Sequence, residues 1–200
     1  KHTWDGVENV TFKGGTIDMN GQLNADGSAA QNLPEVNSAN AFALGYSRNI
    51  HIENVTFLNN YKGHPIQICA CDGVTVRNCA FKGQSLPNTL SDDDTKKLEL
   101  IQIESSSSEG FPYAANNSGE ASQNITIEDC YFGASDLCGE PSVAIGTHSQ
   151  VVGAQKCNHI TIRNNTFDNM RFGAIRFCGY EDVLIQGNTF IKIWNKRRSK

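Results

Sequence analysis

Side chains that suit the chemistry of sugars are spread over the middle and the second half of this chain. Carboxylic acids and imidazoles exchange protons near neutral pH, and guanidinium groups bind carboxylates through paired hydrogen bonds. Glutamine amides donate and accept at once, which matches sugar hydroxyls. We therefore predict a catalytic set of Glu104, His148 and Glu99 and a substrate-binding set of His64, Gln67, Gln102, Arg171 and Arg176.

A nine-residue repeat is the main candidate for the scaffold that positions these groups. Its six copies are Asn9–Ile17, Asn49–Phe57, Gly73–Phe81, Asn124–Phe132, His159–Phe167 and Asp182–Phe190. Apolar residues at the second and fourth positions of each copy predict a strand with one buried face. The sixth position is Gly, Asn or Asp in every copy, and these residues tolerate a left-handed backbone, which predicts a sharp bend. Strand, bend and returning apolar residue together indicate one coil of a solenoid.

Each coil has a second alternating strand, and this strand carries most of the candidate site. The strands are predicted at Phe42–Leu44, Ile66–Ile68, Ile101–Ile103, Val143–Ile145 and Ile175–Phe177. Their middle residues are predicted to face solvent, so that Ala43, Gln67, Gln102, Ala144 and Arg176 form one column. The neighbouring column is Gly45, Cys69, Glu104, Gly146 and Cys178, and His64 is expected beside Glu99. We predict a shallow polar groove along this face.

The spacing between coils predicts where loops leave the solenoid. Ile50 and Val74 are 24 residues apart, which we take as a bare coil, whereas 51 residues separate Val74 from Ile125. The excess residues predict insertions near Asp18–Asn40, Lys82–Lys97, Ser105–Ser122 and Gln150–Lys156. Repeat proteins tend to place such insertions on one face, commonly the binding face. We expect these insertions to wall the groove.

The repeat and its partner strand resemble the right-handed parallel β-helix of the pectate lyase and polygalacturonase superfamily. The resemblance covers nearly the whole chain and implies an all-β, single-stranded solenoid of five to six coils, with 1–200 as one domain. It also implies polysaccharide ligands, often acidic, bound along the groove. The paired aspartates of the polygalacturonases and the aspartate cluster of the calcium-dependent pectate lyases are missing from both predicted columns, so no specific reaction is carried over.

Composition excludes several other classes of protein. The formal net charge of −4 argues against a nucleic-acid partner, and no apolar run approaches the ~18 residues of a membrane span.

Cys79 and Cys130 share an inward column and are predicted to be buried, adjacent free thiols. Cys69 and Cys71 lack a second matching pair, so we expect no metal and no cofactor. Because neither end shows a polar cap, we expect the chain to be a segment of a larger β-helix protein.

The sequence leaves two main functions open. The first is a secreted or cell-surface bacterial hydrolase or lyase that acts on an acidic polysaccharide, with Glu104 and Glu99 as an acid pair, or with His148 or an arginine as the base. The alternative is a non-catalytic glycan-binding adhesin module; a phage depolymerase or a structural stalk is a third reading. Structural ion pairs of Glu99 with Lys96 or Lys97, and of Arg176 with Glu181, are also open. Hydrolysis requires two carboxyl groups within ~5–10 Å of each other.

Overall fold

The computed structural model describes residues 6–21, 40–86, 90–107, 111, 118–147 and 154–193. Within these ranges nearly all regular structure is β-strand, and α1 (Asp92–Thr95) is a single helical turn. The strands are β1 (Glu8–Lys13), β2 (Thr16–Asp18), β3 (Phe42–Gly45), β4 (Arg48–Glu53), β5 (Thr56–Tyr61), β6 (Ile66–Cys69), β7 (Asp72–Arg77), β8 (Ala80–Ser85), β9 (Glu99–Glu104), β10 (Gln123–Glu128), β11 (Tyr131–Gly133), β12 (Val143–Gly146), β13 (Asn158–Arg163), β14 (Thr166–Asp168), β15 (Gly173–Arg176), β16 (Val183–Gln186) and β17 (Thr189–Ile191).

The strands form three parallel sheets that run the length of the molecule. The first sheet has the order β1-β4-β7-β10-β13-β16, the second β2-β5-β8-β11-β14-β17, and the third β3-β6-β9-β12-β15. Each of the first five coils gives one strand to each sheet, and the described part of the sixth coil gives β16 to the first sheet and β17 to the second. Each coil stacks on the next with parallel pairing throughout. The predicted parallel β-helix is therefore confirmed, with six coils in the first and second sheets. No helix in the described ranges is long and apolar enough to cross a membrane.

The core follows from stacking of the repeat on itself. Ile50 and Ile52 are buried on the inside of the first sheet, whereas His51 between them is half-buried on the outside. The last residue of five copies forms an aromatic column, with ring centroids 4.7, 4.9, 5.1 and 5.2 Å apart along Phe57, Phe81, Phe132, Phe167 and Phe190. These distances match the ~4.8 Å spacing of neighbouring strands. Stacked rings and paired backbones thus share one period.

The predicted left-handed corners are confirmed, and a second set was not predicted. The backbone φ angle is 56° at Asn54, 52° at Asn78, 54° at Asp129 and 54° at Asn164. The first residue of each copy also has positive φ, as at Asn9, Asn49, Gly73, Asn124, His159 and Asp182. Five of those six residues are Asn, Asp or Gly, so a left-handed backbone at this position could have been predicted from the residue types. Each first-sheet strand is therefore shaped by two left-handed residues.

The cysteines are free thiols, as predicted. All seven are unpaired, and Cys79 and Cys130 are buried in adjacent coils, where the Cys79 backbone N–H lies 3.4 Å from Cys130 Sγ. Burial raises the pKa of the Cys130 thiol well above its ordinary value. Further along the column Asn165 replaces cysteine, and its side-chain oxygen accepts a hydrogen bond of 2.9 Å from the Cys130 backbone N–H. The thiols thus serve as small core groups.

Candidate functional site

The predicted neighbours of the third sheet do come together in the second and third coils. Gln67 pairs in register with Gln102, and Cys69 with Glu104. The polar side chains on and around these strands bind one another; we call Asn40, His64, Gln67, Glu99, Gln102, Glu104 and Arg176 the polar cluster. Its contacts fall into two groups, one at each end of β9.

The first group is centred on the Glu104 carboxylate. Gln67 donates its amide N–H to Glu104 Oε1 at 2.6 Å, and Gln102 donates to Oε2 at 3.3 Å. Asn40 in turn donates to the Gln67 carbonyl oxygen at 2.7 Å. Amide donors stabilise an ionised carboxylate without adding charge. One oxygen of Glu104 is thus engaged by Gln67 of the neighbouring coil and the other by Gln102 of its own strand.

The second group is centred on the Glu99 carboxylate. Arg176 donates to Glu99 Oε1 from Nη2 at 2.7 Å and from Nε at 3.2 Å. His64 Nδ1 lies 2.6 Å from the Glu99 backbone oxygen and 3.9 Å from Glu99 Oε2. A carbonyl oxygen only accepts, so Nδ1 of His64 carries a proton. Glu99 pairs with Arg176 rather than with Lys96 or Lys97, and the lysine at 97 pairs with Asp93 at 2.8 Å.

The predicted open groove is wrong for these coils, because the polar cluster is covered. His64, Gln67, Glu99, Gln102 and Glu104 are all buried, and the exposed fraction of Glu99 is 0%. The described parts of the insertion after Glu104 fold back over the sheet: Ser106 donates its backbone N–H to the Glu120 carbonyl at 2.8 Å. The Phe111 ring packs so closely on Gly45 that a β-carbon there would meet it at 2.4 Å. The described part of this insertion therefore packs on the outer face of the third sheet, at the first coil.

The predicted register is also wrong in the fourth coil. Ile145, not Val143, stacks between Ile101 and Ile175, so Gly146 lies in the column of Gln102 and Arg176. The predicted column had Ala144 at this place. Gly146 has φ of 150°, and a β-carbon on it would lie 2.0 Å from the Arg176 carbonyl oxygen. Close approach of two backbones, which only glycine permits, sets this two-residue shift.

The remaining predicted residues lie in three different settings. Arg176 lines an open cleft of about 240 Å³ together with Lys96, Val143, Phe172, Gly173 and Ile175. Arg171 lies apart from the polar cluster's contacts, with its Nη2 3.7 Å from Glu140 Oε2. The alternative Glu181 partner of Arg176 pairs instead with Lys156 at 3.7 Å. His148 lies outside the described residues.

The two acids predicted as a catalytic pair stand at opposite ends of one strand. Glu99 is the first residue of β9 and Glu104 the last. At a rise of ~3.3 Å per residue their backbones are separated by roughly 16 Å. Glycosidase carboxyl pairs lie within ~5–10 Å. Each acid is also held by its own donors, so the two do not form an acid and base pair. In the described ranges, no three His, Cys, Asp or Glu side chains are grouped to hold a metal.

A second set of charges, not predicted from the sequence, runs along the outside of the first sheet. The fifth residue of successive repeat copies alternates in sign, and we call Lys13, Glu53, Arg77, Glu128 and Arg163 the charge ladder. Arg77 Nη2 lies 2.6 Å from Glu53 Oε1, and Arg163 Nη2 lies 2.6 Å from Glu128 Oε2. Lys13 and Glu53 are 3.6 Å apart, and Arg77 Nη1 is 3.9 Å from Glu128. Alignment of the repeat copies at their fifth position would have predicted the ladder.

The ladder carboxylate at position 53 is kept ionised by its neighbours. Partial burial opposes its ionisation, but the hydrogen bond and positive charge of Arg77, helped by Lys13, outweigh that effect. The pKa of Glu53 is consequently held below its ordinary value of 4.5. Glu53 is therefore ionised at neutral pH.

These features define the class of protein: a parallel β-helix in which the described polar groups of the third sheet bind one another. No family model matches the chain. It is 50% identical over 189 residues to the plasmin and fibronectin-binding protein A of Streptococcus pneumoniae, over 94% of this chain and 26% of that protein. A structure of the Streptococcus pneumoniae surface protein and adhesin PfbA superposes with a TM-score of 0.89 at 51% identity, over 92% of this chain and 44% of that one.

A crystal structure of PfbA, described as a surface adhesin of Streptococcus pneumoniae, also superposes with a TM-score of 0.89 and covers 40% of that chain. This chain thus spans about a quarter of the curated relative and less than half of either solved chain. The similarity is to a part of those proteins.

Proposed function

We propose that the chain is a non-catalytic module of a cell-surface adhesin and that it binds protein ligands. The observation that carries this proposal is the 50% identity over nearly the whole chain to a plasmin and fibronectin-binding protein. A surface location is proposed on the same ground, because the solved relative is a surface protein and adhesin. The alternative function derived from the sequence is thus favoured over hydrolase or lyase action.

The geometry of the polar cluster supports a role without catalysis. A general acid needs a proton that it can give to substrate, and a nucleophile needs an exposed lone pair. Glu104 is held by two amides and Glu99 by a guanidinium group, and both are buried. The Glu104 carboxylate thus joins the second and third coils through Gln67, and the Glu99 carboxylate joins the third and fifth coils through Arg176.

A protein ligand is favoured over the predicted polysaccharide. The relative is named for two protein partners, and the amides predicted to bind sugar hydroxyls are engaged with Glu104. One observation keeps an acidic sugar as a second candidate: the cleft at Arg176 combines an aromatic ring, Phe172, with the ammonium group of Lys96 5.9 Å from the ring centroid. Arg176 is the member of the predicted substrate-binding set that we place at this contact.

Binding and turnover are tested on the same set of proteins. We expect the wild-type chain on a sensor surface to bind fibronectin or plasmin, and we expect no reducing ends to be released from acidic polysaccharides. Glu104→Gln is expected to lower stability by about 1–3 kcal/mol, because the new amide faces two amide donors. It should leave affinity nearly unchanged in the folded protein. Release of sugar by the wild type, lost in Glu104→Gln, would contradict the proposal.

The cleft has its own test. Arg176→Ala should lower the affinity for an oligogalacturonate if the second candidate function holds, and Arg171→Ala is the matched control because Arg171 pairs with Glu140. Equal affinity in both variants would remove the cleft as a sugar site. Protein binding by the same variants separates the two ligand classes.

We also propose that further coils of a longer β-helix cover the two end faces of this segment. Val10 and Phe12 in the first coil, and Ile185 and Phe190 in the last, are 39–51% exposed, whereas the equivalent residues of the middle coils are buried. A longer version of the protein, with more coils at both ends, should melt at a higher temperature and stay monomeric. A 200-residue chain that is equally stable and monomeric would contradict this proposal.

A further inference from the structure

The cations of the charge ladder are much more exposed to solvent than its carboxylates. The side chains of Arg77 and Arg163 are 44% and 47% exposed, and that of Lys13 is 65% exposed. The carboxylates between them are far more covered, at 13% for Glu53 and 10% for Glu128. Each glutamate therefore fixes the guanidinium groups beside it while being screened by them. A chain of net charge −4 thus carries an ordered row of positive charge on one face.

The spacing of this cation row is set by the β-helix itself. Lys13, Arg77 and Arg163 belong to the first, third and fifth strands of the first sheet, so successive cations are two coils apart. At ~4.8 Å per coil the interval is about 9.6 Å, and the three charges span roughly 19 Å. Because parallel coils stack in register, the three charges lie in one straight line.

One backbone conformation has a matching period. A polyproline II helix rises ~3.1 Å per residue with three residues per turn, so every third side chain returns to the same side after about 9.3 Å. A β-strand repeats on one side at about 6.7 Å, so it misses the second cation by about 2.9 Å, although its third repeat comes within about 0.9 Å of the third cation. An α-helix returns after seven residues at about 10.5 Å and is out of step by about 1.8 Å at the third cation. The polyproline II helix is out of step by only about 0.6 Å there.

The surface beside the row suits an extended chain. Two residues before the ladder, the first sheet presents the outward column Thr11, His51, Thr75, Thr126 and Thr161, in which every residue but His51 has a short side chain, so that the column is largely flat. On the other side of the row are the left-handed corners, where Asp129 is the one carboxylate among the described corner residues Gly14, Asn54, Asn78, Asp129, Asn164 and Gly187. The approach to the row is therefore flat and carries little opposing charge.

We propose that the cation row binds an acidic segment of a protein partner in the polyproline II conformation, with a carboxylate at every third residue. The inference rests on the proposed function only in taking the partner to be a protein. Each guanidinium group has donors beyond those used by its glutamate, and it binds carboxylates through charge-assisted hydrogen bonds. A polyproline II segment is already extended in solution, so little conformational entropy is lost on binding.

The test uses two peptides that have the same number of carboxylates at different intervals along the chain. A labelled peptide with five repeats of Pro-Pro-Glu has a carboxylate at every third residue, and its control, five repeats of Pro-Pro-Pro-Glu, has the same five charges at every fourth. We expect the first peptide to bind the whole chain at least tenfold more tightly in fluorescence anisotropy, and its affinity to fall as salt rises. A Pro-Pro-Gln peptide should not bind. Equal affinity for the two acidic peptides would overturn the proposal.

A set of variants locates the binding to this row. Replacement of Lys13, Arg77 and Arg163 by glutamine should abolish peptide binding, and Arg77→Lys should retain most of it. The matched control removes three cations elsewhere, Lys62→Gln, Lys82→Gln and Lys156→Gln, and should bind like the wild type. Circular dichroism verifies that each variant is folded; if the triple variant unfolds, Arg77→Gln alone, with an expected loss of at least threefold, takes its place. An unchanged affinity in the row variant would overturn the proposal.

The source of the negative charge is decided separately. Tight binding of heparin together with equal or absent binding of both peptides would mean that the row recognises a sulfated polysaccharide, and the inference would be wrong. Fibronectin and plasmin are measured on the same surface. If they bind and the period-three peptide does not, this inference fails while the proposed adhesin function stands.

Discussion

The charge ladder and the polar cluster are built from the same chemistry and differ in what covers them. Both pair carboxylates with donors from other coils of a parallel stack. On the first sheet Glu53 and Glu128 pair with Arg77 and Arg163, and those guanidinium groups stay half-exposed. On the third sheet Phe111, from the insertion after Glu104, packs on Gly45, and Glu99 is 0% exposed. Register decides which charges are neighbours, whereas insertions decide whether those neighbours can bind anything else.

The two regions should therefore differ in energy as well as in role. Exposed ion pairs contribute ~0–1 kcal/mol because water and salt screen them. Breaking a buried pair costs ~3–5 kcal/mol because one charge is left without its partner. The comparison implies that the polar cluster matters for folding and that the ladder is free to act as a surface.

The largest effect is expected at Glu99. Glu99→Gln removes the charge that Arg176 binds, and since the Arg176 side chain is 32% exposed and can turn to water, we expect a loss of about 2–3 kcal/mol in the free energy of unfolding. Urea unfolding at pH 7 measures it. Glu8→Gln, at an exposed acid of the first coil, is the control. A cost below about 0.5 kcal/mol, the size of a surface change, would remove the energetic contrast between the two regions.

The next effect is expected at the corner that follows the ladder. Asn78 has φ of 52° directly after Arg77, and Asn78→Val should lower stability by about 1–2 kcal/mol because a β-branched residue is strained there. Asn78→Gly should be tolerated, since glycine adopts this conformation freely. Thermal unfolding of both variants is the measurement. If valine and glycine behave alike, the left-handed corner does not shape this part of the surface.

A smaller effect is expected within the ladder. Glu128→Gln removes a carboxylate that holds Arg163 at 2.6 Å, yet the loss of stability should stay below about 1 kcal/mol because the Arg163 side chain is 47% exposed and water can solvate its charge. High salt should reduce that loss further. Urea unfolding at low and at high salt measures both statements. A loss as large as that of Glu99→Gln would show that the ladder is a stabilising element like the polar cluster.

The smallest effect is a pH dependence at Glu53. Its pKa is lowered in the folded chain, so its ionised form contributes stability above the ordinary glutamate pKa of 4.5, and this contribution is lost as the pH falls through the lowered value. The difference in melting temperature between wild type and Glu53→Gln should be constant from pH 7 to about 5 and disappear in stronger acid. A difference that grows as the pH falls would have the wrong sign.

The sequence predicts the scaffold well because the scaffold is periodic. Six aligned copies place Ile50, Ile52 and Phe57 on the inside and Asn54 in a left-handed corner, and the structure agrees. The pairs Gln67 with Gln102 and His64 with Glu99 also follow from the register. Alignment of equivalent strand residues therefore predicts which side chains are neighbours wherever the register between two coils is kept.

The sequence predicts the site poorly because insertions have no period. The cluster is buried and Phe111, from the segment after Glu104, packs on Gly45, and nothing in the repeat encodes either feature. The two-residue shift at Gly146 is set by contact with the Arg176 backbone, which is likewise invisible in one strand. The ladder, by contrast, was predictable: Glu53, Arg77 and Glu128 occupy one position of the repeat.

The phenylalanine column has a mechanical consequence. Coils that meet through nearly identical ring contacts, 4.7–5.2 Å apart, resist tension about equally. Force along the stack axis therefore peels coils from an end one after another, since each contacts only its neighbours. A bare coil of 24 residues pulled straight at ~3.4 Å per residue adds roughly 80 Å of length. A tether made of such coils lengthens in steps under load, and so dissipates a pull before its attachment at either end gives way.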